Sequence, residues 1–291
     1  MSAGLFAQLL VNGLMSGGMY ALVASGFTLI LGVLQVFNFS QGHFYMLGAF
    51  VTYAVVSALG LPYVVAVLAA LVSMGLLGII FHFSVLQWTM RYGFFHTMLV
   101  TALFATVITQ STLLTFGFNS QVVPPVISST IKMGDVSISA GKLVVIAGAI
   151  IVMVALYYLM KTKTGTAMLA SAENIEVAGL QGMNTKRIFW TTMAVGCGLC
   201  GIAGALIVPV LSASSTMGTG MFLRAMVVVL IGGTGSMAGA LLAAFIVGIV
   251  ESFAYQYVGQ LSVLVVFVFV AVLLFFRPGG LLGKPLPIPG Q

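Results

Sequence analysis

The sequence predicts an all-α polytopic membrane protein of about eight transmembrane helices, one of them broken or re-entrant. Three observations carry that expectation. Of 291 residues, 61% are hydrophobic and only 5% are charged, against about 25% charged in an ordinary soluble domain. The apolar runs are long and continuous, and a helix that is apolar all round has no face to offer water. In lipid every backbone N–H and C=O must be satisfied within a helix or a closed barrel. A barrel would show short strands of alternating polarity, and these runs do not.

A span needs roughly 20 apolar residues. The first run, 5–36, has no basic residue ahead of it and no cleavage site after it, so it reads as a span rather than a leader. A polar knot, Asn38-Phe39-Ser40-Gln41-Gly42-His43, separates it from a second span at 42–59. Further spans follow at 62–83, 97–116 and 142–160, and then comes the one long polar stretch, 161–187. A sixth span covers 188–211. Segment 221–257 is apolar but interrupted by Gly232-Gly233-Thr234-Gly235-Ser236. The piece before that break is too short to cross alone, while 237–257 is long enough. The last span is 261–276, and the tail RPGGLLGKPLPIPGQ reads as extended. No polar stretch is long enough for a soluble domain, so residues 1–291 are expected to form one transmembrane domain.

Charge orients this arrangement. Lys161, Lys163, Lys186 and Arg187 share the 161–187 loop, and loops rich in Lys and Arg stay in the cytoplasm. Counting outward places Arg91 inside, the loop 117–140 outside, the N-terminus outside, and the C-terminus with Arg277 and Lys284 inside. Arg224 is the exception, near the outer face. The net charge of +6 is scattered rather than gathered in a stripe, so no nucleic-acid partner is expected. Cys197 and Cys200 form C-x-x-C in an apolar run, but two thiols cannot close a structural zinc site. They read as small packing residues. His43, His82 and His96 are too dispersed to suggest a metal site, and His82 and His96 read as interfacial.

Two places carry chemistry. Asn and Ser are good helix caps, so a helix is expected to start within the 38–43 knot, and another after the 232–236 break. Broken helices in transporters aim their positive N-terminal ends at anionic solute groups, and a carboxylate would suit such a site. The competing reading of each knot is a plain loop or a tight crossing that needs glycine. The candidate solute path is therefore Asn38, Ser40, Gln41, His43, Gly232, Gly233 and Ser236. Glu251 joins them as the acid inside an apolar run, a functional candidate by default; it either lines a path, pairs with Arg224 or a partner subunit, or sits solvated at an interface. Gly13-x-x-x-Gly17, Gly235-x-x-x-Gly239 and the Gly198, Gly201, Gly204 series fit close helix packing, within the fold in preference to a dimer seam.

The loop TGTAMLASAENIEVAGLQGMNT is the most unusual part. Residues 166–180 suit a short amphipathic helix along the cytoplasmic face, with Gly179 and Gly182 as stop signals. A headgroup-bound helix would carry Lys or Arg on its polar face; this one carries Glu173 and Glu176, which favours a protein contact. The chain contains no G-x-x-x-x-G-K-[ST] loop, so it is expected to bind no cofactor itself. Any ATP would be used by a partner, pushing on the 166–182 segment through Ala170, Glu173, Asn174, Glu176, Gly179 and Gly182.

Together these residues resemble a known family. The stretch NGLMSGGMYALVASGFTLILGVLQVFNFSQGHFYMLGAF, the loop GTAMLASAENIEVAGLQGMNT, and IGGTGSMAGALLAAFIVGIVES followed by FRPGGLLG resemble, in that order and spacing, the permeases of branched-chain amino-acid ABC importers. The likeness is to the shorter of the two permease subunits and runs nearly end to end. It implies a multi-pass protein of the bacterial inner membrane. It also implies two ABC ATPase subunits docked on the 161–187 loop, a second paralogous permease (or a second copy), and a periplasmic solute-binding protein. The solutes implied are branched-chain amino acids, or amides, urea, and organic or aromatic acids. Relatives often carry an arginine near Met168 or Leu169, where this chain is apolar. Two other readings stand beside it. A self-contained secondary transporter or channel would need intramembrane ion sites, for which Glu251 is the sole acidic candidate. A membrane enzyme would need a constellation that the spacing does not supply.

Overall fold

The computed structural model describes residues 3–125, 129–133, 136–233, 235–277 and 279–282. Helix α1 (Ala3–Leu34) is followed by an extended turn and α2 (Gln41–Tyr53), which continues through a π turn to Ala58. Next come α3 (Tyr63–Phe81), extended by short π and 3-10 turns to Tyr92, then α4 (Phe94–Phe116) and α5 (Ala140–Lys161). Two short helices, α6 (Lys163–Glu173) and α7 (Ile175–Leu180), lead to α8 (Thr185–Ile207). The chain then runs through α9 (Met217–Gly232), α10 (Met237–Val258) and α11 (Ser262–Phe276).

Six stretches are long and apolar enough to cross a membrane: Gly4–Leu34, Tyr63–Tyr92, Phe94–Phe116, Ala140–Lys161, Thr185–Ile207 and Met237–Phe276. The last is two helices. At Gly259 the backbone takes φ +57, a conformation open to glycine at little cost, and the chain reverses. Val263 and Phe267 of α11 then stand beside Leu223 and Arg224 of α9. Beyond α11, Leu281 N–H donates to the Ile231 carbonyl at 2.7 Å, so α11 runs antiparallel to α10 and parallel to α9. Helix α2, with 13 residues, and α9, with 16, are too short to cross alone. The π turn to Ala58 lengthens α2, and non-helical chain precedes both helices.

One end of the bundle gathers the basic residues. Gly32 near the end of α1 packs on Ala172 of α6 and faces Gly235, and a cavity of about 710 Å³ there is lined by Leu34, Gly93, Phe94, Ala172 and Gly235. Arg91, Lys161, Lys163, Lys186, Arg187 and Arg277 all sit on or next to helix ends at this side. The opposite end holds Lys142, whose Nζ donates to Asn12 Oδ1 at 2.7 Å.

Helices α1 and α8 are mostly buried, whereas α3, α4, α5 and α11 expose apolar side chains such as Leu68, Leu103, Ile151 and Phe275. This is the expected pattern for a centre packed on itself and a rim facing hydrocarbon. Packing without a hydrophobic driving force relies on close backbone approach, and small residues provide it. A Cβ on Gly13 would stand 2.8 Å from Ile249 Cα, and one on Gly248 would stand 2.6 Å from the Gly13 carbonyl. Gly13 and Gly17 thus seat α10 against α1. On α8, Gly201 packs on Ala70 and Met74 of α3, and Gly204 on Tyr45 and Ala49 of α2. Cys197 and Cys200 are free and buried, as packing residues should be.

Four expectations change. The 166–180 helix is two helices, because Asn174 leaves the helical region (φ −158, ψ 109) and its side chain caps the second by accepting from Val177 N–H at 3.1 Å. The loop 117–140 contains a two-stranded antiparallel pair, Thr130–Met133 with Val136–Ser139, so the fold is not helical throughout. His82 is 4% exposed, between Phe83 and Phe189 in the π turn of α3, and is not interfacial. Ser40 stands before α2 but makes no cap bond. Ser236 does cap α10, accepting from Gly239 N–H at 3.1 Å.

Candidate functional site

After α1 the chain turns back into the bundle through Gln35, which holds φ +54. Helix α2 begins at mid-depth. Gln41 lies against Gly196 and Gly26, roughly 12–17 Å in from the basic ends of α1 and α8 by the helical rise. Asn38, Ser40 and Gln41 are wholly buried, so their polar atoms must be paired. Asn38 Oδ1 accepts from Ser40 N–H at 3.0 Å, and its Nδ2 donates to Gln41 Oε1 at 3.3 Å. Ser40 Oγ donates to the Thr101 carbonyl at 2.7 Å, and Phe39 N–H to Thr101 Oγ1 at 3.2 Å. Gln41 Nε2 donates to the Gly196 carbonyl at 3.1 Å and to Cys200 Sγ at 3.0 Å. The knot thus pins an extended crossing to α4 and α8. His43, one turn on, borders a cavity of about 280 Å³ with Phe39, Thr109, Gln110 and Phe222. Phe222 stacks on Phe39 with centroids 4.7 Å apart.

The 232–236 break lies at the basic end, apart from that knot. Gly235 lines the 710 Å³ cavity with Phe37, which neither Asn38 nor Gln41 reaches. Gly232 and Gly233 receive the segment after α11. Leu281 and Leu282 N–H donate to the carbonyls of Ile231 and Gly232 at 2.7 and 3.2 Å, and these are carbonyls that a helix end leaves unpaired. Gly280, at φ +76, approaches so closely that a Cβ on it would stand 2.7 Å from Gly233 N. Two motifs that look unrelated in sequence, the glycine break and RPGGLLG, are one joint.

Glu251 is held inside the helices. Arg224 Nε and Nη2 reach its Oε1 at 2.8 and 2.7 Å, and Tyr20 Oη donates to its Oε2 at 2.5 Å. Of the roles the sequence left open for Glu251, pairing with Arg224 is the one the structure shows; Tyr20 was not singled out. The available signal was an Arg and a Glu within neighbouring apolar segments, where charges pair or serve a function.

At the basic end, α6 lies under the bundle with Gly165, Met168 and Ser171 buried. Thr162 caps it, Oγ1 accepting from Gly165 N–H at 3.3 Å. Its outer side, continued by α7, exposes Leu169, Glu173, Asn174, Val177, Gly179, Leu180 and Gly182; Leu180 is 87% exposed. Ala170 is half-buried, and the side chain of Glu176 lies outside the described residues. Met168 is fully buried, whereas its neighbour Leu169 is on the surface.

Residues 9–276 match the family described as branched-chain amino acid transport system / permease component. The chain is 28% identical to the high-affinity branched-chain amino acid transport system permease protein BraD of Pseudomonas aeruginosa, with 96% of each chain covered. It is 27% identical to the corresponding LivH protein of Escherichia coli K12, again over 96% of each. It is 22% identical to a probable branched-chain amino acid transport permease protein LivH of Methanocaldococcus jannaschii, over 87% of this chain and 82% of that one. No solved structure matches it. Relatives that are transport components, together with six apolar stretches long enough to cross, establish a multi-pass membrane protein, and the chain belongs to the permease-component family of branched-chain amino acid transport systems.

Proposed function

We propose that this chain is the transmembrane permease subunit of an ABC importer of the bacterial inner membrane. It moves branched-chain amino acids, or related amides, urea, and organic or aromatic acids, into the cytoplasm. Separate ATPase subunits power it, a second permease subunit (or a second copy) forms the path with it, and a periplasmic binding protein delivers the solute. The observation that carries the reading is the outer side of α6 and α7, an exposed apolar and acidic surface at the basic end of the bundle. An exposed apolar patch with a polar surround fits a protein partner. The same end carries Arg91, Lys161, Lys163, Lys186, Arg187 and Arg277, which marks it as cytoplasmic. The N-terminus is then outside and the C-terminus inside.

The solute path follows the inner helices. His43 and Glu251 border its cavities, while Asn38, Ser40 and Gln41 set the wall behind them. Gly232, Gly233 and Ser236 join its cytoplasmic mouth to the driven segment. A gradient-driven carrier would need an acid free to exchange protons or sodium, and Glu251 is instead held by Arg224 and Tyr20.

The test is affinity purification from native membranes in mild detergent, wild type beside the double variant Glu173→Arg, Gly179→Arg. Both sites are exposed, so the variant is expected to insert and keep the second permease but lose the ATPase. Wild-type chain recovered alone would overturn the ABC reading. A variant that retains the ATPase would overturn the docking assignment.

A further inference from the structure

We infer that Arg224 is the residue that takes the solute's carboxylate within the membrane, and that it does so by exchange with Glu251. The inference rests on the importer reading above and adds a ligand-binding residue and a solute class to it.

The position is unusual. Tyr20 lies midway along α1, Arg224 midway along α9, and Glu251 two turns from the far end of α10. Charges at such depth are expensive and are kept where they face a cavity or do a task. Arg224 faces two cavities. One, about 270 Å³, is walled by Met15, Met19, Tyr45, Ile207 and Met221, with Ser212 at its rim. The other, about 200 Å³, lies on the opposite side between α9, α10 and α11 and is bordered by Glu251 and Phe267. The first has room for a solute of amino-acid size. Its methionines adapt to differing apolar shapes.

The bonding is suited to exchange. Arg224 directs both Nε and Nη2 at a single oxygen of Glu251, at 2.8 and 2.7 Å. Its remaining nitrogen, Nη1, is held among the described residues by the Gly220 carbonyl at 3.2 Å. This falls short of the two-oxygen fork that an arginine prefers with a carboxylate, so an incoming carboxylate that offers both oxygens competes on good terms. Glu251 is not orphaned when the arginine turns away, because Tyr20 still donates to its Oε2. The arginine is also the more accessible partner, 31% exposed against 12% for the glutamate. A charged head at Arg224 and a side chain among the methionines together select a monocarboxylate with an aliphatic or aromatic side chain.

The test uses the complete detergent-purified assembly, with Cys197→Ala and Cys200→Ala as background and Ser212→Cys as reporter at the cavity rim. The rate of labelling by a small thiol reagent is measured with L-leucine and with L-leucinamide, which lacks the carboxylate. Leucine is expected to slow labelling and leucinamide not to. Arg224→Gln is expected to weaken leucine protection at least about tenfold, the loss of one charge-assisted pair. Glu251→Gln, which frees the arginine, is expected to strengthen it. The double variant Arg224→Leu, Glu251→Leu leaves no unpaired charge and guards against misfolding; it too is expected to show no protection. Equal protection by leucine and leucinamide, protection undiminished in Arg224→Gln or in the double variant, or no protection in the parent would overturn the inference. Co-purified ATPase in those same samples shows whether the importer reading stands independently of that result.

Discussion

At the scale of single residues, the buried polar atoms explain why the chain can turn back inside an apolar bundle. Residues 35–40 have no helix to satisfy their backbone, so side chains and one distant threonine do it. Thr101 Oγ1 accepts from Phe39 N–H at 3.2 Å and shares its own proton between the Met98 carbonyl at 2.9 Å and the Phe37 carbonyl at 3.3 Å. Asn38 satisfies Ser40 N–H and Gln41 Oε1 together. Replacing Asn38 with leucine keeps the branched shape but orphans both, at about 1–3 kcal/mol for each buried group. The purified Asn38→Leu protein is therefore expected to unfold at a clearly lower temperature than wild type in the same detergent. An unchanged midpoint would mean that water enters the turn. The sequence marked this knot as polar and as a helix start, but its cap reading did not hold for Ser40. The partners of its side chains were not legible: Thr101 and Gly196 stand 61 and 155 residues away from Ser40 and Gln41, and no local pattern reports such distances.

At the scale of elements, continuous apolar runs were enough to find every long helix, because crossing a membrane demands length and hydropathy together. Three features escaped that signal for separate reasons. Helix α2 starts at mid-depth because its register is fixed by glycines on other helices. A Cβ on Gly48 would stand 2.6 Å from Gly201 Cα, backbone against backbone. The paired strands in the loop 117–140 carry a signal after all, since Val136-Ser137-Ile138-Ser139 alternates with the period of a strand. Hydropathy summed over a span averages that alternation away. The break at Asn174 is a local one, where an Asn side chain competes with the helix for backbone donors. The glycine seam gives the element-scale prediction. Gly48→Val forces α2 off α8, a cost of about 1–3 kcal/mol or more for overpacking. It is expected to reduce the folded yield and the unfolding temperature well below those of Gly179→Ala, whose nearest neighbour stands 3.8 Å from the new Cβ. Equal behaviour of the two variants would show that α2 does not pack as closely as described.

At the scale of the whole molecule, the path of the chain turns on Gly259. Read as one stretch, Met237–Phe276 is 40 residues long, about 60 Å as a helix and twice the hydrocarbon core of about 30 Å. Folded back at Gly259 it is two helices, and the joint between Leu281, Leu282 and the end of α9 ties the second of them to the basic end. The two arrangements put the termini on different sides. With the reversal, and with 35–58 and α9 each counted as a crossing beside α1, α3, α4, α5, α8, α10 and α11, the N-terminus and the C-terminus are expected on opposite faces. Without it they share a face. A small epitope inserted after Gly259, one at the N-terminus and one at the C-terminus separate these cases in cells with a permeabilised outer membrane. The Gly259 and N-terminal epitopes are expected to bind antibody at once, and the C-terminal epitope only after the inner membrane is opened. The same labelling tests the orientation, because the basic end with α6 and α7 must then be the hidden one. If the C-terminal epitope were outside with the N-terminal one, the α10–α11 reversal would be wrong. If all three accessibilities were inverted, the surface on α6 and α7 would face away from any ATP, and the importer reading would fall with it.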